Sequence, residues 1–374
     1  MPLRVLIIPD KFKGTLTAHQ ALGAIAEGWM SIRSQDDLEA VPMSDGGDGF
    51  GEVMAQLLEA DEQTIQTVDA AHRPIEAKWW YNAAKTTAII ETAQVVGLAL
   101  LPPGRFHPFE LDTFGLAELL RAAWSAGATD LIIGIGGSAT NDAGFGLARG
   151  LGWKFLDSNH SPIEKWVKLD KLTCWEAPKL LPQLNHTVAV DVNNPLLGSN
   201  GCSRVYGPQK GLRTEQAPLA ESFLQPLADM ARKEFQVDIA NEAGAGAAGG
   251  LGFGLRTFVG ARIESGFELF SQAANLESRI EQADLVITGE GAIDRQTMMG
   301  KGTGRIAELC KKLNKRCIGL AGMVEGQLLL GHQKTLFQSI SSITPTLTNP
   351  ADAKKRPDFW LARLAAKVAG EYRE

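Results

Sequence analysis

The densest set of residues that could do chemistry lies between positions 285 and 304. Two carboxylates, Glu290 and Asp294, and a lysine, Lys301, follow a short apolar run there and alternate with glycines. Carboxylates for a divalent cation, a lysine and free backbone N–H groups are the groups that phosphoryl transfer requires. A polar crossover with solvated charges has the same composition, so one such loop does not identify a function by itself.

The elements around this loop are those of a parallel sheet. Residues 285–287 predict a buried strand that stops at a turn at Thr288 and Gly289, and residues 306–313 predict the following helix. In open α/β sheets, the loop from a strand's carboxyl end to a helix N-terminus is the usual place for an anionic ligand.

Similar glycine-rich loops recur near the N-terminus. Strands predicted at 5–8 and 38–41 are each followed by a polar loop and a helix, which is the opening of a doubly wound sheet. The second loop carries Asp45 and Asp48 on either side of two glycines. Two carboxylates on a tight turn suit Mg²⁺ binding or proton abstraction, although aspartates that only cap a turn have the same pattern.

The pattern changes in the middle of the chain. Short β runs at 64–69, 75–81 and 86–92 predict an antiparallel meander, and the parallel pattern returns at about residue 283. We therefore predict an α/β fold of two domains: a doubly wound, mostly parallel, Rossmann-like domain of residues 1–62 and 283–374, and an inserted α/β domain of residues 63–282.

Two glycine patterns in the inserted segment fit the dinucleotide-binding fingerprint formally. The pattern that begins at Gly134 follows a predicted strand, whereas the one that begins at Gly244 does not. A nicotinamide-dependent hydroxy-acid reductase therefore stays open, although phosphate contact explains the recurring glycine-rich loops better.

Composition and charge limit the class of protein. The chain has 374 residues, more than the ~250–300 at which a single core stops growing. Its net charge of −6 gives no electrostatic case for nucleic acid, and the four cysteines lack zinc spacing. The N-terminus shows no signal-peptide pattern and no apolar run reaches ~18 residues, so we expect a cytoplasmic protein without a membrane span.

Seven motifs stand in a fixed order along nearly the whole chain. They are Pro9-Asp-x-Phe-Lys-Gly-x-Leu16, Asp45-Gly-Gly-x-Gly49, Gly136-Gly-Ser-Ala-Thr-Asn-Asp142, Asp191-Val-x-Asn-Pro195, Tyr206-Gly-Pro-Gln-Lys-Gly211, Gly244-Ala-Gly-Ala-Ala-Gly-Gly-Leu251 and Thr288-Gly-Glu-Gly-x-x-Asp-x-Gln-Thr297. In order and spacing this set resembles the type-1 glycerate kinases of bacteria. The resemblance implies ATP- and Mg²⁺-dependent phosphorylation of D-glycerate, usually to 2-phosphoglycerate, in a cleft between a doubly wound domain and an inserted one.

The roles of individual residues in such a reaction are hypotheses. Asp45 or Asp191 would be the base toward the glycerate hydroxyl, and Lys13 would pair with the glycerate carboxylate. Glu290 and Asp294 would hold Mg²⁺. Lys301 would steady the β- and γ-phosphates together with the backbone of Gly289, Gly291, Gly300 and Gly302. Further substrate contacts are expected from Asp10, Lys11, Asp48, Ser138, Asn141, Asp142, Arg204 and Lys210.

The alternatives differ in reaction and in readout. A glycerate 3-kinase would use the same groups on the other hydroxyl, a reductase would change nicotinamide absorbance, and a nucleotide sensor would bind ATP without turnover. The sequence leaves open whether the protein is a monomer or a homodimer.

Overall fold

The computed structural model describes residues 2–182, 184–298, 302–325 and 336–373. Its contacts divide the chain into two compact units. Unit 1 is Met1–Asp45 with Phe267–Glu374, and unit 2 is Gly46–Gly266.

The strands and helices alternate in much of the chain. The strands are β1 (Arg4–Pro9), β2 (Asp37–Ala40), β3 (Asp61–Val68), β4 (Pro74–Asn82), β5 (Thr87–Glu91), β6 (Asp130–Gly134), β7 (Lys154–Leu156), β8 (Cys174–Glu176), β9 (Asn185–Ala189), β10 (Arg262–Glu264), β11 (Leu285–Ile293), β12 (Arg316–Val324) and β13 (Ser339–Thr344). The α-helices are α1 (Ala18–Met30), α2 (Phe50–Leu58), α3 (Ala93–Val96), α4 (Leu116–Ser125), α5 (Phe145–Gly150), α6 (Cys202–Val205), α7 (Ala217–Phe235), α8 (Ala247–Phe258), α9 (Gly266–Ala273), α10 (Leu276–Gln282), α11 (Arg295–Met298), α12 (Thr303–Lys312), α13 (Pro350–Lys355) and α14 (Pro357–Glu371). None of the helices in the described part of the chain combines the length and hydropathy that crossing a membrane requires.

Unit 1 is built on a parallel five-stranded sheet in the order β2-β1-β11-β12-β13. Counted within the unit, this is the order 2-1-3-4-5 of doubly wound sheets, so the winding direction reverses between β1 and β11. The order confirms the predicted doubly wound fold.

Alternation along the strands explains why helices cover both faces of this sheet. Val5 and Ile318 share a core with α1 and α14, which pack on one another. Cys317, one residue away and therefore on the other face, contacts Cys310 of α12. Strands that are buried on both sides read as continuous apolar runs, as the sequence showed.

Unit 2 contains a six-stranded sheet in the order β10-β9-β6-β5-β4-β3. β10, β9, β6 and β5 are parallel, whereas β3, β4 and β5 form the antiparallel meander that the sequence predicted. The fold of both units is therefore α/β with mainly parallel sheets.

The boundaries between the two units fall after Asp45 and after Gly266. The sequence suggested boundaries after residues 62 and 282, which both lie later in the chain. Helix α2 packs on β4 and β5 of unit 2, and Gly51 lies so close to Trp80 that a Cβ there would meet the ring at 1.9 Å. Helix α10 packs on β1 of unit 1. Each helix belongs to the unit whose sheet buries it, which local sequence pattern does not reveal.

The prediction that the strand ends in a turn at Thr288 and Gly289 is wrong. β11 continues to Ile293, and Gly289 pairs with Pro9 on one side and Leu320 on the other. A Cβ at Gly289 would lie 2.4 Å from the Leu320 carbonyl oxygen. This glycine therefore permits close approach of two strands instead of ending one.

Candidate active site

A cavity of about 560 Å³ opens at the carboxyl edge of the unit 1 sheet. Its volume is within the range of small-molecule sites, and its position is the switch point where doubly wound sheets bind ligands. Eight predicted site residues line it: Asp10, Lys11, Lys13, Asp45, Glu290, Gly291, Asp294 and Gly302.

The four carboxylates of the cavity repel their neighbours. Burial and then the charge of Asp45 raise the pKa of Asp10 to about 8, with a smaller contribution from Glu290 and against the lowering effect of Lys11. Burial likewise raises the pKa of Glu290, and the charges of Asp294 and Asp45 add to it. Because repulsion and burial disfavour the ionised carboxylates, a cation bound among their oxygens would stabilise them.

Hydroxyl groups fix the orientation of Glu290. Its Oε1 accepts a hydrogen bond from Thr297 Oγ1 at 2.8 Å and another from the hydroxyl of Thr303. The Thr297 amide also donates to Asp294 Oδ1 at 3.2 Å, so α11 joins the two acids that the sequence assigned to a metal. Hydrogen bonds that orient a ligating carboxylate in this way tune how it binds a metal.

The donor set fits Mg²⁺ held jointly with phosphates. Across residues 2–182, 184–298, 302–325 and 336–373, no three His, Cys, Asp or Glu side chains meet in an arrangement that holds a metal alone. Mg²⁺ normally takes one or two carboxylates and completes its shell with waters and phosphate oxygens. Glu290 and Asp294 match that smaller requirement.

The predicted cations of the cavity wall follow β1, and its predicted glycines lie in β11 and directly before α12. Lys11 and Lys13 follow β1, and Gly291 lies against the Lys13 amide, where a Cβ would come within 3.1 Å of it. Gly302 has a φ of +47° and faces Asp10, whose Oδ2 would be 3.4 Å from an added Cβ. Gly289 is part of the strand ladder and not of the cavity wall, so its predicted phosphate contact is not supported. Gly300 and Lys301 lie outside the described residues.

The other predicted site residues belong to unit 2, where two glycine-rich loops pack together. The Gly136 amide donates to Gly46 O at 3.0 Å, and a Cβ at Gly136 would lie 2.5 Å from Gly47 Cα. Asp48 is exposed, and its Oδ1 lies where a Cβ of Gly137 would be. Of the glycines that suggested a dinucleotide fingerprint, Gly136 therefore permits contact between loops, and Gly134 lies against Phe50 of α2.

A buried polar network lies next to these loops. Lys210 is 6% exposed and donates to Thr140 O at 2.5 Å, and burial lowers its pKa to about 8. Asn141 Nδ2 donates to Ser203 Oγ at 2.8 Å, and the Thr140 amide donates to Ser138 Oγ at 3.1 Å. The structure thus brings Ser138, Asn141 and Lys210 together in one unit.

Asp142 has a role inside unit 2 that its glycine-rich motif does not indicate. It is fully buried and accepts hydrogen bonds from the Thr113 amide at 2.9 Å, the Thr113 hydroxyl at 2.8 Å and the Gly146 amide at 2.9 Å. Burial, and then the charge of Asp112, raises its pKa to about 6. All three bonds reach Oδ2, which therefore shapes the start of α5, whereas Oδ1 is buried without a hydrogen-bond partner among the described residues. The expected contact of Asp142 with the substrate stays a prediction.

Two further candidates have partners within unit 2. Arg204 forms an ion pair with Glu221 at 3.2 Å. Asp191 follows β9, and its Oδ1 accepts a hydrogen bond from Ser265 Oγ at 2.8 Å.

Several cavity residues carried no chemical signal in the sequence. Thr297, in the cavity wall, reads as an ordinary helix-start residue, and so does Thr303, which lies outside the wall but shares Glu290 Oε1 with it. Their spacing from Glu290 in the sequence is a usable clue. Four more cavity residues lie at the carboxyl ends of β12 and β13: Gly322, Met323, Ile343 and Thr344. The sequence did not indicate them, because both strands continue beyond their apolar runs.

Fold and cavity together define a doubly wound α/β protein with an acidic, lysine-bearing ligand site at its switch point. The model of the "Glycerate kinase family" matches residues 5–373. The chain is 37% identical to the glycerate 2-kinase of Escherichia coli (strain K12) over 91% of each chain. It is 35% identical to the glycerate kinase of Halalkalibacterium halodurans, covering 98% of this chain and 97% of that one.

A solved structure is similar over the same length. The crystal structure of a protein described as glycerate kinase 2 from Salmonella typhimurium LT2 superposes with a TM-score of 0.83 and 34% identity, over 99% of this chain and 98% of that one. The chain therefore belongs to the glycerate kinase family.

Proposed function

We propose that this protein is an ATP-dependent kinase that phosphorylates D-glycerate at its 2-hydroxyl and releases 2-phospho-D-glycerate and ADP. The observation that carries the proposal is the acidic cavity with two lysines at the switch point of unit 1, in a chain of the glycerate kinase family. We further propose that the protein acts in the cytoplasm, as a monomer or homodimer.

The substrate carboxylate would be held by Lys13. Lys13 and Lys11 are the cations on the β1 loop side of the cavity, and an ammonium group binds a carboxylate as a point charge. This pairing would orient the glycerate relative to the acids on β11.

Proton transfer needs one carboxylate that is ionised before the reaction. Asp45 or Asp191 would accept the proton of the 2-hydroxyl as its oxygen attacks the γ-phosphorus and the bond to ADP breaks. Asp45 is supported by its place in the cavity wall, and Asp191 by its position at the carboxyl end of β9. Mutation of each has to decide between them.

The donor phosphates would be held by the β11 side of the cavity. Glu290 and Asp294 would hold Mg²⁺, which when bound neutralises charge on the phosphate oxygens. Lys301 and the backbone of Gly291, Gly300 and Gly302 would contact the phosphates. Gly302 directly precedes α12, and the N-terminus of a helix favours anions.

A ³¹P NMR time course with D-glycerate, ATP and Mg²⁺, read against authentic 2- and 3-phosphoglycerate, tests the proposal. Growth of the 2-phosphate resonance with equal growth of ADP is the expected result. A 3-phosphate resonance would instead establish a glycerate 3-kinase. Absence of transfer would overturn the kinase proposal, and nicotinamide oxidation assays would then test the reductase.

A further inference from the structure

The unit 1 cavity has two ends of different chemistry. Its acidic end lies at the carboxyl ends of β2, β1 and β11, where Asp45, Asp10 and Glu290 are found. Its other end lies at β12, β13 and α13. Apart from Lys354 and Thr344 its wall there is apolar, with Met323, Ile343, Pro350, Ala353 and Pro357.

Sheet register relates the two ends. Met323 pairs with Ala292 of β11 on one side and with Thr344 of β13 on the other, and all three line the cavity. Neighbouring strands lie ~4.8 Å apart, so three spacings from β1 to β13 span roughly 14 Å. A ligand that filled the cavity would be long. Its one end would bind beside the carboxylates through the lysines or a divalent cation, and its other end would be apolar.

Met323 is the most unusual residue of the apolar end. It is 52% exposed although it lies within a strand, whereas Ile343 beside it is 3% exposed. The Thr344 hydroxyl donates to Gly322 O at 3.0 Å and so presents little unsatisfied polarity. An accessible thioether in an apolar wall is well suited to contact with an aromatic ring.

We propose that the β12–β13 end of this cavity binds the purine base of the nucleotide. The inference rests on the proposed kinase function and adds to it the subsite that holds the base. The phosphates would then extend along the strand ends toward Glu290 and Asp294.

The test measures binding directly, so that it does not depend on turnover. Calorimetric titration with Mg²⁺ and β,γ-methylene-ATP is compared with titration by inorganic tripolyphosphate, which lacks the base. The variants are Met323→Gln, which keeps length and charge but removes the apolar contact, and Ala353→Phe, which fills the apolar end. Met30→Gln, at an exposed methionine of α1 outside the cavity, is the matched control.

We expect both cavity variants to bind the ATP analogue about tenfold more weakly than the wild type does. Their affinity for tripolyphosphate should change less than about twofold, because only contact with the base is lost. Met30→Gln should bind both ligands like the wild type. Equal weakening of both ligands, or no weakening of either, would overturn the base subsite. Turnover of D-glycerate by the wild type is measured separately. Normal turnover without the expected binding differences would contradict the base subsite alone. The expected binding differences without turnover would contradict the kinase proposal alone.

Discussion

Thr297 Oγ1 donates a hydrogen bond of 2.8 Å to Glu290 Oε1, the same oxygen that receives the Thr303 hydroxyl. Both bonds restrain one oxygen of the carboxylate, so the orientation of the other oxygen is set as well. Two threonines thereby stabilise the ionised form of an acid whose pKa burial raises.

Replacing Thr297 should therefore weaken the binding of Mg²⁺, although Thr297 is not itself a predicted metal ligand. For Thr297→Val we expect the Mg²⁺ concentration at half-maximal rate to rise about tenfold, because the Glu290 carboxylate loses a bond that orients it. Thr297→Ser keeps the hydroxyl and should behave like the wild type. An unchanged Mg²⁺ dependence in Thr297→Val would contradict the proposal that Glu290 binds the metal.

The choice of base is tested by paired amide substitutions. The true base, replaced by asparagine, should lose about 10²–10⁴-fold in kcat with a small change in KM, because the amide cannot accept the proton. The other aspartate should lose much less. Steady-state kinetics of Asp45→Asn and Asp191→Asn decide this, and near wild-type kcat in both would reject both assignments.

Asp10 should make the protein less stable as the pH rises. Its pKa is about 8 in the folded protein and about 3.8 as an ordinary aspartate. Between these values the folded protein holds a proton that the unfolded chain has lost, so the free energy of unfolding falls from about pH 4 to about pH 8.

Asp10→Asn should remove this dependence. Without metal or nucleotide, we expect the variant to exceed the wild type by about 2 kcal/mol at pH 8 and to match it near pH 4, while its kinase activity falls. Urea unfolding in EDTA across this pH range is the measurement. Parallel pH profiles for the two proteins would show that Asp10 is not desolvated.

The close contact between Gly136 and Gly47 predicts an effect on stability. Gly136→Ala would place a Cβ 2.5 Å from backbone, so we expect a loss of about 2–4 kcal/mol. Gly23, in α1 with open space around it, is the control: Gly23→Ala should be neutral or slightly stabilising. Thermal unfolding of both variants is the readout, and an unaltered Tm in Gly136→Ala would contradict the packing explanation.

The sequence by itself determined the elements that depend on neighbours a few residues away. Thr17 caps α1 and forms a capping box with Gln20, and α12 (Thr303–Lys312) covers most of the helix predicted at residues 306–313. The meander of β3, β4 and β5 followed from alternation and turn residues. These features are local because helix caps and strand periodicity are set by spacing along the chain.

Only the tertiary structure decided what the glycines and acids do. The glycines at 136 and 289 have similar sequence surroundings, but one admits a neighbouring loop and the other a neighbouring strand. Asp142 and Asp10 are both aspartates in glycine-rich motifs, yet one is bonded inside unit 2 and the other faces Asp45 and Glu290. Close approach and desolvation depend on atoms that are distant in the chain, and folding is what brings those atoms together.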